Sequence, residues 1–425
     1  MIKLEEHKHL SADQPIEKLT APAKVYIPLS QHLGKVCAPL VKAGESVLLG
    51  QKIGAAEAHV YAPVHASVSG KVAAVQDWPH PALGRCKAVV LENDGLDRGQ
   101  GTGDRGQGEI DKLSAEEIRR IVLEAGIVGM GGAGFPTHLK LAPPQPVDTL
   151  IINGAECEPY LTCDYRLMLE KTGEILRGVD LIKRCLGVNK VIIAIEDNKP
   201  AAIKAFTQDA RHTTHDLKIL KSQYPQGGEK QLIKQILRKE VPSGKLPFDV
   251  GVVVQNVATA LSVYEAVYLG KPLYERVVTV TGGCLTQPKN LLARLGTPIS
   301  ALITACAPLK REPAKIIVGG PMMGIAQYTT DVPVIKSTSG VVLLDEKEAK
   351  AWGEEFCIRC GACVRECPAG LMPCLINLAS EKGMWEKAKD YRAMDCMECG
   401  LCNYVCPANR FLTQSIKRAK LEVGK

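Results

Sequence analysis

The sequence predicts a multidomain α/β protein that ends in a helical, cysteine-rich domain. Three observations carry this reading. Strand-like and helix-like segments alternate between residues 149 and 269, the pattern of a largely parallel sheet. A stretch rich in β-branched residues and punctuated by Gly and Pro precedes them at 36–75. Nine cysteines then crowd the end of the chain. The 425 residues suit about three domains, and a 46% hydrophobic composition leaves enough apolar chain for packed cores without disulfide staples.

The opening segment, MIKLEEHKHL, lacks the apolar centre of a signal peptide. No run approaches the roughly 18 apolar residues of a membrane span. The net charge of +7 is mild and reads as a solvated surface. Aromatics at 4% are too sparse for a stacking nucleic-acid surface, so no nucleic-acid partner is expected.

Within 36–75, short strands alternate with turns, and two phrases are similar to the halves of a lipoyl-type barrel-sandwich: Gly44–Ile53 and Ala62–Val72. Lys71 follows Ser-Gly and lacks flanking methionines, so the expected role is docking rather than cofactor carriage. This domain is expected over 1–95. Residues 96–112 are Gly-rich, charged and poor in large apolar side chains, which predicts a linker.

A domain expected over 113–272 opens with a capping box, Ser114 to Glu117, before a helix that stops at Gly126. The spacing predicts strands at 149–153, 190–195, 217–221 and 250–254, and helices near 167–186, 201–209, 228–238 and 257–269. Residues 273–350 suit a small β-grasp module, with a strand at 314–318. From 351 to 425 the chain reads as helical, closing on a basic amphipathic helix at 411–423. The expected role of that helix is packing on its own domain.

The terminal cysteines form two copies of one motif. Cys357, Cys360, Cys363 and Cys367-Pro368 make the first; Cys396, Cys399, Cys402 and Cys406-Pro407 make the second. Each closely spaced triplet wraps one face of a 4Fe–4S cubane, and the cysteine before proline completes the other cluster. Cys357, Cys360, Cys363 and Cys406 are therefore expected at one cluster, and Cys396, Cys399, Cys402 and Cys367 at the second. Zinc sites rarely repeat such gaps. Cys374 falls outside both motifs and reads as a structural thiol.

Residues 129–140, GMGGAGFPTHLK, hold a glycine loop that follows a helix, not the strand a Rossmann fingerprint requires. Several missing Cβ atoms instead offer a flat shelf to a ring or a phosphate. After the strand at 149–153 comes NGAECEP, with Asn153, Glu156 and Glu158 at a strand's C-terminal end, where open α/β sheets bind ligands.

These two segments resemble the flavin-binding segments of the flavoprotein subunit of respiratory NADH dehydrogenase. The resemblance implies that Gly129, Gly131, Gly132, Lys140, Asn153 and Glu156 contact FMN. It implies that Phe135 and Glu158 contact NADH. Gly228 and Glu229 lie in a matching Gly-Glu turn, which implies contact with FMN; Lys230 there replaces an acid and is expected either to pair with a phosphate of NADH or to be a surface lysine. Asn256 and Thr259 lie in a matching turn at a helix start, again toward FMN. Met130 and Ala155 depart from the pattern, where the family has arginine and aspartate. Cys157 and Cys163 have no base beside them and read as buried thiols.

With the N-terminal sandwich and the doubled cysteine motif, the whole chain resembles the C subunit of the Rnf-type electron transport complex. That resemblance implies a peripheral subunit on the cytoplasmic face of the membrane. It would exchange hydride between NADH and FMN and pass single electrons through two 4Fe–4S clusters. Its partners would be other subunits of a membrane-bound, ion-translocating complex, including a ferredoxin-like iron–sulfur subunit. A cobalamin reductase of bacterial microcompartments, and a non-catalytic relay with a dead flavin site, are the rival readings.

Overall fold

A four-stranded parallel sheet forms the centre of the chain, in the order Asp216–Leu220, Lys190–Glu196, Thr149–Gly154, Val252–Asn256. The computed structural model describes residues 2–99, 103–209, 215–349 and 353–424. Residues 100–102 of the expected linker, and 350–352 at the expected junction of the β-grasp module and the terminal domain, lie outside the described residues. Alternate strand residues point to opposite faces. Leu150, Ile152 and Ile193 pack under helices Cys163–Glu170, Thr172–Leu186 and Val257–Leu269, while Ile151, Ala194 and Val254 pack under helix Glu229–Leu237. Both faces are covered, so the strands read as continuous apolar runs.

The helix expected near 167–186 is two helices, Cys163–Glu170 and Thr172–Leu186, broken at Lys171. The Thr172 hydroxyl donates to the Met168 carbonyl at 2.6 Å, and Thr-Gly is a poor helical pair, so the turn ends there. The second helix lies so close to Val257–Leu269 that a Cβ on Gly178 would stand 1.9 Å from the Ala260 carbonyl oxygen.

The sandwich pairs a sheet of Lys24–Pro28, Ser46–Val47, Gly70–His80 and Gly84–Asn93 with a three-stranded one of Ala38–Pro39, Lys52–Ala55 and Val64–His65. Val25, Ile27, Ile53, Val64, Val89 and Leu91 fill the space between. Residues 2–18 do not join it. They run as a strap across the rest of the molecule, pairing Ile2 with Tyr224 and ending as a strand, Ile16–Lys18, parallel to Lys289–Arg294. The expected 1–95 span thus contains a sandwich that starts near Lys24 and a strap that belongs elsewhere.

The expected linker is also anchored at its far end. Ile110 is buried, and Arg105 donates to the Val267 carbonyl (2.7 Å) while its amide donates to the Tyr268 carbonyl (2.8 Å). These are orphan carbonyls of the last turn of helix Val257–Leu269, which the linker satisfies in passing.

A six-stranded mixed sheet follows, in the order Ile16–Lys18, Lys289–Arg294, Glu275–Thr281, Gly340–Leu344, Lys315–Val318, Ile325–Ala326. The terminal domain has short helices Ala362–Arg365 and Leu401–Tyr404 within the cysteine motifs. Three longer helices, Pro373–Glu381, Trp385–Asp390 and Leu412–Val423, pack around Ile376, Ala388 and Ile416. The last helix turns its apolar side inward, and its Lys420 donates to the Cys396 carbonyl at 2.9 Å.

Candidate functional site

Helix Ala115–Glu124 carries its capping box, with Ser114 N–H donating to Glu117 (2.8 Å) and Glu117 N–H to Ser114 Oγ (3.2 Å). It stops at Gly126, whose φ is +66°. The glycine loop follows at once and closes through Gly129 N–H to the Phe135 carbonyl (2.9 Å) and Thr137 N–H to the Ile127 carbonyl (3.0 Å). Gly131 faces Asn256 so closely that a Cβ would stand 2.7 Å from its Nδ2. A Cβ on Gly132 would meet nothing within 4 Å, so this part of the shelf is open. Met130 is buried, and its amide donates to Thr259 Oγ1 at 3.0 Å.

The other candidates gather at the C-terminal ends of strands Thr149–Gly154 and Val252–Asn256. Asn256 caps helix Val257–Leu269 through its Oδ1, accepting from Ala258 N–H at 2.8 Å, and its Nδ2 donates to Asp164 at 2.6 Å. Asp164 is held in turn: its amide donates to the Glu156 carboxylate at 2.7 Å, and Tyr165 N–H does so at 3.2 Å. Asn153 donates to the Gly227 carbonyl (2.9 Å) and accepts from Ala155 N–H (3.1 Å). Lys140 donates to Glu229 (2.7 Å) and to the Val254 carbonyl (2.8 Å). Gly228 N-caps helix Glu229–Leu237, and half-buried Lys230 lies in its first turn. One connected network therefore holds Gly131, Asn256, Asp164 and Glu156, with Thr259 tied to it through the amide of Met130.

Glu158 is held from another quarter. Its carboxylate accepts from Met322 N–H (3.1 Å) and Met323 N–H (2.9 Å), on a loop between strands Lys315–Val318 and Ile325–Ala326. A Cβ on Gly320 in that loop would collide with the carboxylate at 2.1 Å. Burial pushes the Glu158 carboxyl up to about 7, against the two amides that pull it down. Half-buried Phe135 stays on the glycine loop. Cys157 accepts from Gly227 N–H at 3.2 Å, and burial pushes its thiol up to about 12; Cys163 is buried and shifted the same way. Both are held as neutral thiols.

The doubled cysteine motif repeats its backbone as well as its spacing. Arg359 and Glu398 have φ of 58° and 60°, Gly361 and Gly400 of 73° and 75°, Gly370 and Asn409 of 63° and 49°. Cys367, Cys396, Cys399 and Cys402 line one cavity, with Leu371, Thr413 and Ile416. Leu371 N–H and Glu398 N–H reach the sulfurs of Cys367 and Cys396, each at 3.4 Å. Next to it, Cys363 and Cys402 pack with Leu412, against Cys406 and Cys374. Cys357 and Cys360 are exposed. Four thiols around one cavity, with amides aimed at two of them, fit a 4Fe–4S cubane. Burial pushes Cys396 up to about 11 and Cys399 up to about 12, so cluster binding must displace thiol protons. The open shelf at Gly132, the Lys140 ammonium and two helix starts form a set that a flat ring carrying a phosphate, such as FMN, would suit.

The two sites adjoin. Tyr224 donates to the Cys399 carbonyl at 2.6 Å, Gln231 to the Pro368 carbonyl at 2.9 Å, and Ser243 to Asp395 at 2.6 Å. A Cβ on Gly228 would strike the Met397 methyl at 2.2 Å. The Cys367/Cys396/Cys399/Cys402 cavity is thus docked on the loop and helix that carry Gly228 and Glu229.

Four family models match successive parts of the chain. Residues 2–96 match the RnfC barrel sandwich hybrid domain, 122–265 the Nuo51 FMN-binding domain, 277–326 the SLBB domain and 356–410 the 4Fe-4S dicluster domain. The C subunit of the proton-translocating ferredoxin:NAD(+) oxidoreductase complex of Clostridium ljungdahlii is 47% identical over 98% of this chain and 92% of its own length. This chain belongs to the family of Rnf-type C subunits. The Na(+)-translocating counterpart of Acetobacterium woodii is 46% identical over 98% of the chain and 94% of its own length. The counterpart in the ion-translocating oxidoreductase complex of Rhodobacter capsulatus is 45% identical over 98% and 81%. A chain of an NAD+-reducing [NiFe]-hydrogenase, 19% identical, shares the fold with a TM-score of 0.50 over 74% of this chain and 64% of its own. The chain thus combines the four kinds of part expected from the sequence, and among the described residues no helix is long and apolar enough to cross a membrane.

Sequence reasoning missed four contributors to the site of this Rnf-type protein. Lys8, Tyr224 and the Met322–Met323 amides reach it from distant positions, and only Asp164, five residues past the NGAECEP segment, lay near a signal.

Proposed function

We propose that this chain is the peripheral FMN- and iron–sulfur-bearing subunit of a membrane-bound, ion-translocating ferredoxin:NAD oxidoreductase, and that NADH and FMN exchange hydride at its glycine loop. FMN supplies the conversion between two-electron hydride chemistry and the single electrons that iron–sulfur clusters carry. Gly132 would leave the shelf open to the ring, with Gly129 beside it and Gly131 seated against Asn256, and Lys140, with the starts of helices Val257–Leu269 and Glu229–Leu237, would balance the phosphate. Asn153, Glu156, Gly228, Glu229, Asn256 and Thr259 fix its edges. Phe135, Glu158 and Lys230 receive the dinucleotide. Cys396, Cys399, Cys402 and Cys367 hold one cluster; Cys357, Cys360, Cys363 and Cys406 hold the other. The subunit sits on the cytoplasmic face, held by protein partners.

One observation carries this reading: a cysteine of the enclosed set is hydrogen-bonded, through its carbonyl, to Tyr224 in the loop that leads to Gly228. That supports direct electron exchange between flavin and the enclosed cluster, and leaves the set with exposed Cys357 and Cys360 for another protein of the complex. Full-length relatives in ferredoxin:NAD complexes weigh against a cobalamin reductase. Anaerobically purified protein is expected to hold one FMN and about eight irons. Rapid mixing with NADH should bleach the flavin first and then the cluster absorbance. Stoichiometric zinc in place of iron, or a flavin inert to NADH, overturns the proposal.

A further inference from the structure

The strap brings one cation into the acid turn. Lys8 donates to the carbonyl oxygens of Glu156 (2.8 Å), Glu158 (2.9 Å) and Leu161 (2.6 Å). An ammonium has three donors, and all three are used. The turn itself is not self-sufficient: Glu156 and Tyr160 hold φ of 47° and 70°, a region that side chains other than glycine seldom occupy. Three carbonyl dipoles aimed at one point repel each other unless a cation stands between them. Both acids depend on the carbonyls so held. The Glu156 carboxylate leads to Asp164 and Asn256, and the Glu158 carboxylate leads to the Met322–Met323 amides.

The strap is fastened on either side of Lys8. Ile2 and Tyr224 exchange backbone bonds at 3.2 and 2.8 Å, Tyr160 N–H donates to the Glu6 carbonyl at 2.7 Å, and Ser11 and Thr162 share a hydroxyl bond at 2.8 Å. His7 stacks on Tyr160, with ring centroids 4.5 Å apart. Lys8 is therefore delivered to a fixed point.

We propose that the carbonyls of Glu156, Glu158 and Leu161 form a monovalent-cation site, that Lys8 is its tethered occupant, and that Lys8 is thereby a positioning residue for the FMN and NADH acids. The positioning role rests on the flavin reading above; the cation site does not.

The test uses the full chain with Lys8→Ala and Lys8→Arg. Hydrogen exchange of residues 154–164, measured after removal of flavin, reads the turn alone. Lys8→Ala should lose protection there by about 10- to 150-fold, the scale of charged hydrogen bonds. Methylammonium should restore it, and tetramethylammonium at equal ionic strength should not. Lys8→Arg should stay impaired, because a planar guanidinium cannot put three donors on one point and blocks the added amine. FMN affinity should follow the same order in all three proteins. Unchanged protection in Lys8→Ala, no restoration by methylammonium, or wild-type behaviour of Lys8→Arg overturns the cation site. Should Lys8→Ala not fold, the Lys8→Arg result alone decides, since a role for charge alone predicts it normal. A wild-type chain without FMN would sink the flavin reading and leave the exchange result to stand by itself.

Discussion

At half-buried Glu158, desolvation and two amide donors act in opposite directions, and desolvation wins. The carboxyl moves from an ordinary 4.5 to about 7, so the folded chain holds this proton more tightly than the unfolded chain. Stability from this group is therefore highest at acid pH and falls as pH rises from about 4.5 to about 7. Glu158→Gln should flatten that slope, which urea midpoints at pH 5 and pH 8 would show. The same variant should keep FMN and slow flavin reduction at sub-saturating NADH by about 10- to 150-fold. A normal rate in stopped flow would remove Glu158 from the dinucleotide site. Gly131→Ala is a sharper probe of the shelf, because its Cβ would press on Asn256 at 2.7 Å. We expect it to lose FMN at a stability cost of about 1–3 kcal/mol, as overpacking does. The need for Gly131 was legible in the sequence, since four glycines in six residues announce a shelf. Lys8 was not legible. Its partners are carbonyls, which every residue carries, so no side-chain pattern marks the pairing.

Elements were legible where local chemistry decides them. The Ser114–Glu117 box, the helix Val257–Leu269 and the four parallel strands stand where periodicity and capping put them. The break at Lys171 was not, because apolar spacing continues through it and only the Thr172 back-bond interrupts the helix. Nor was the anchoring of residues 103–110, which depends on orphan carbonyls of a helix 162 residues away from Arg105. The crossing at Gly178 gives this scale its prediction. A Cβ there meets backbone, which cannot step aside as a side chain can. Gly178→Ala should lower the melting temperature despite alanine's better helix propensity, costing more than the roughly 1 kcal/mol that propensity returns. An unchanged or raised midpoint would show that the two helices can part without loss.

Across the whole molecule, contacts between domains fix the site more than any one domain does. Lys336 is fully buried and donates to the Pro63 carbonyl of the sandwich (2.6 Å) and the Gly126 carbonyl beside the glycine loop (2.7 Å). Lys336→Met would leave both carbonyls without this donor. We expect a loss of about 1–3 kcal/mol and earlier proteolytic release of the sandwich. Cluster ligation gives a second test: Cys406→Ala should damage the cluster built on Cys357–Cys363 and spare the enclosed one. Electron paramagnetic resonance separates the two, and loss of the enclosed signal alone would reverse the assignment. The order of domains was legible in the sequence, but their docking was not, because it runs through Tyr224, Gln231 and Ser243, which carry no motif.

The strap also has a consequence in time. Lys8 is made 148 residues before Glu156, and Ser11 precedes Asn290 by 279. At translation rates of about 5–20 residues per second, Ser11 waits roughly 14–56 seconds for its partner to be made. Strand Ile16–Lys18 waits as long for Lys289–Arg294, its unpaired edge open to other chains meanwhile. The strap, made well before its partners, is thus among the last segments to find its place, and the acid turn stays unfinished until it does.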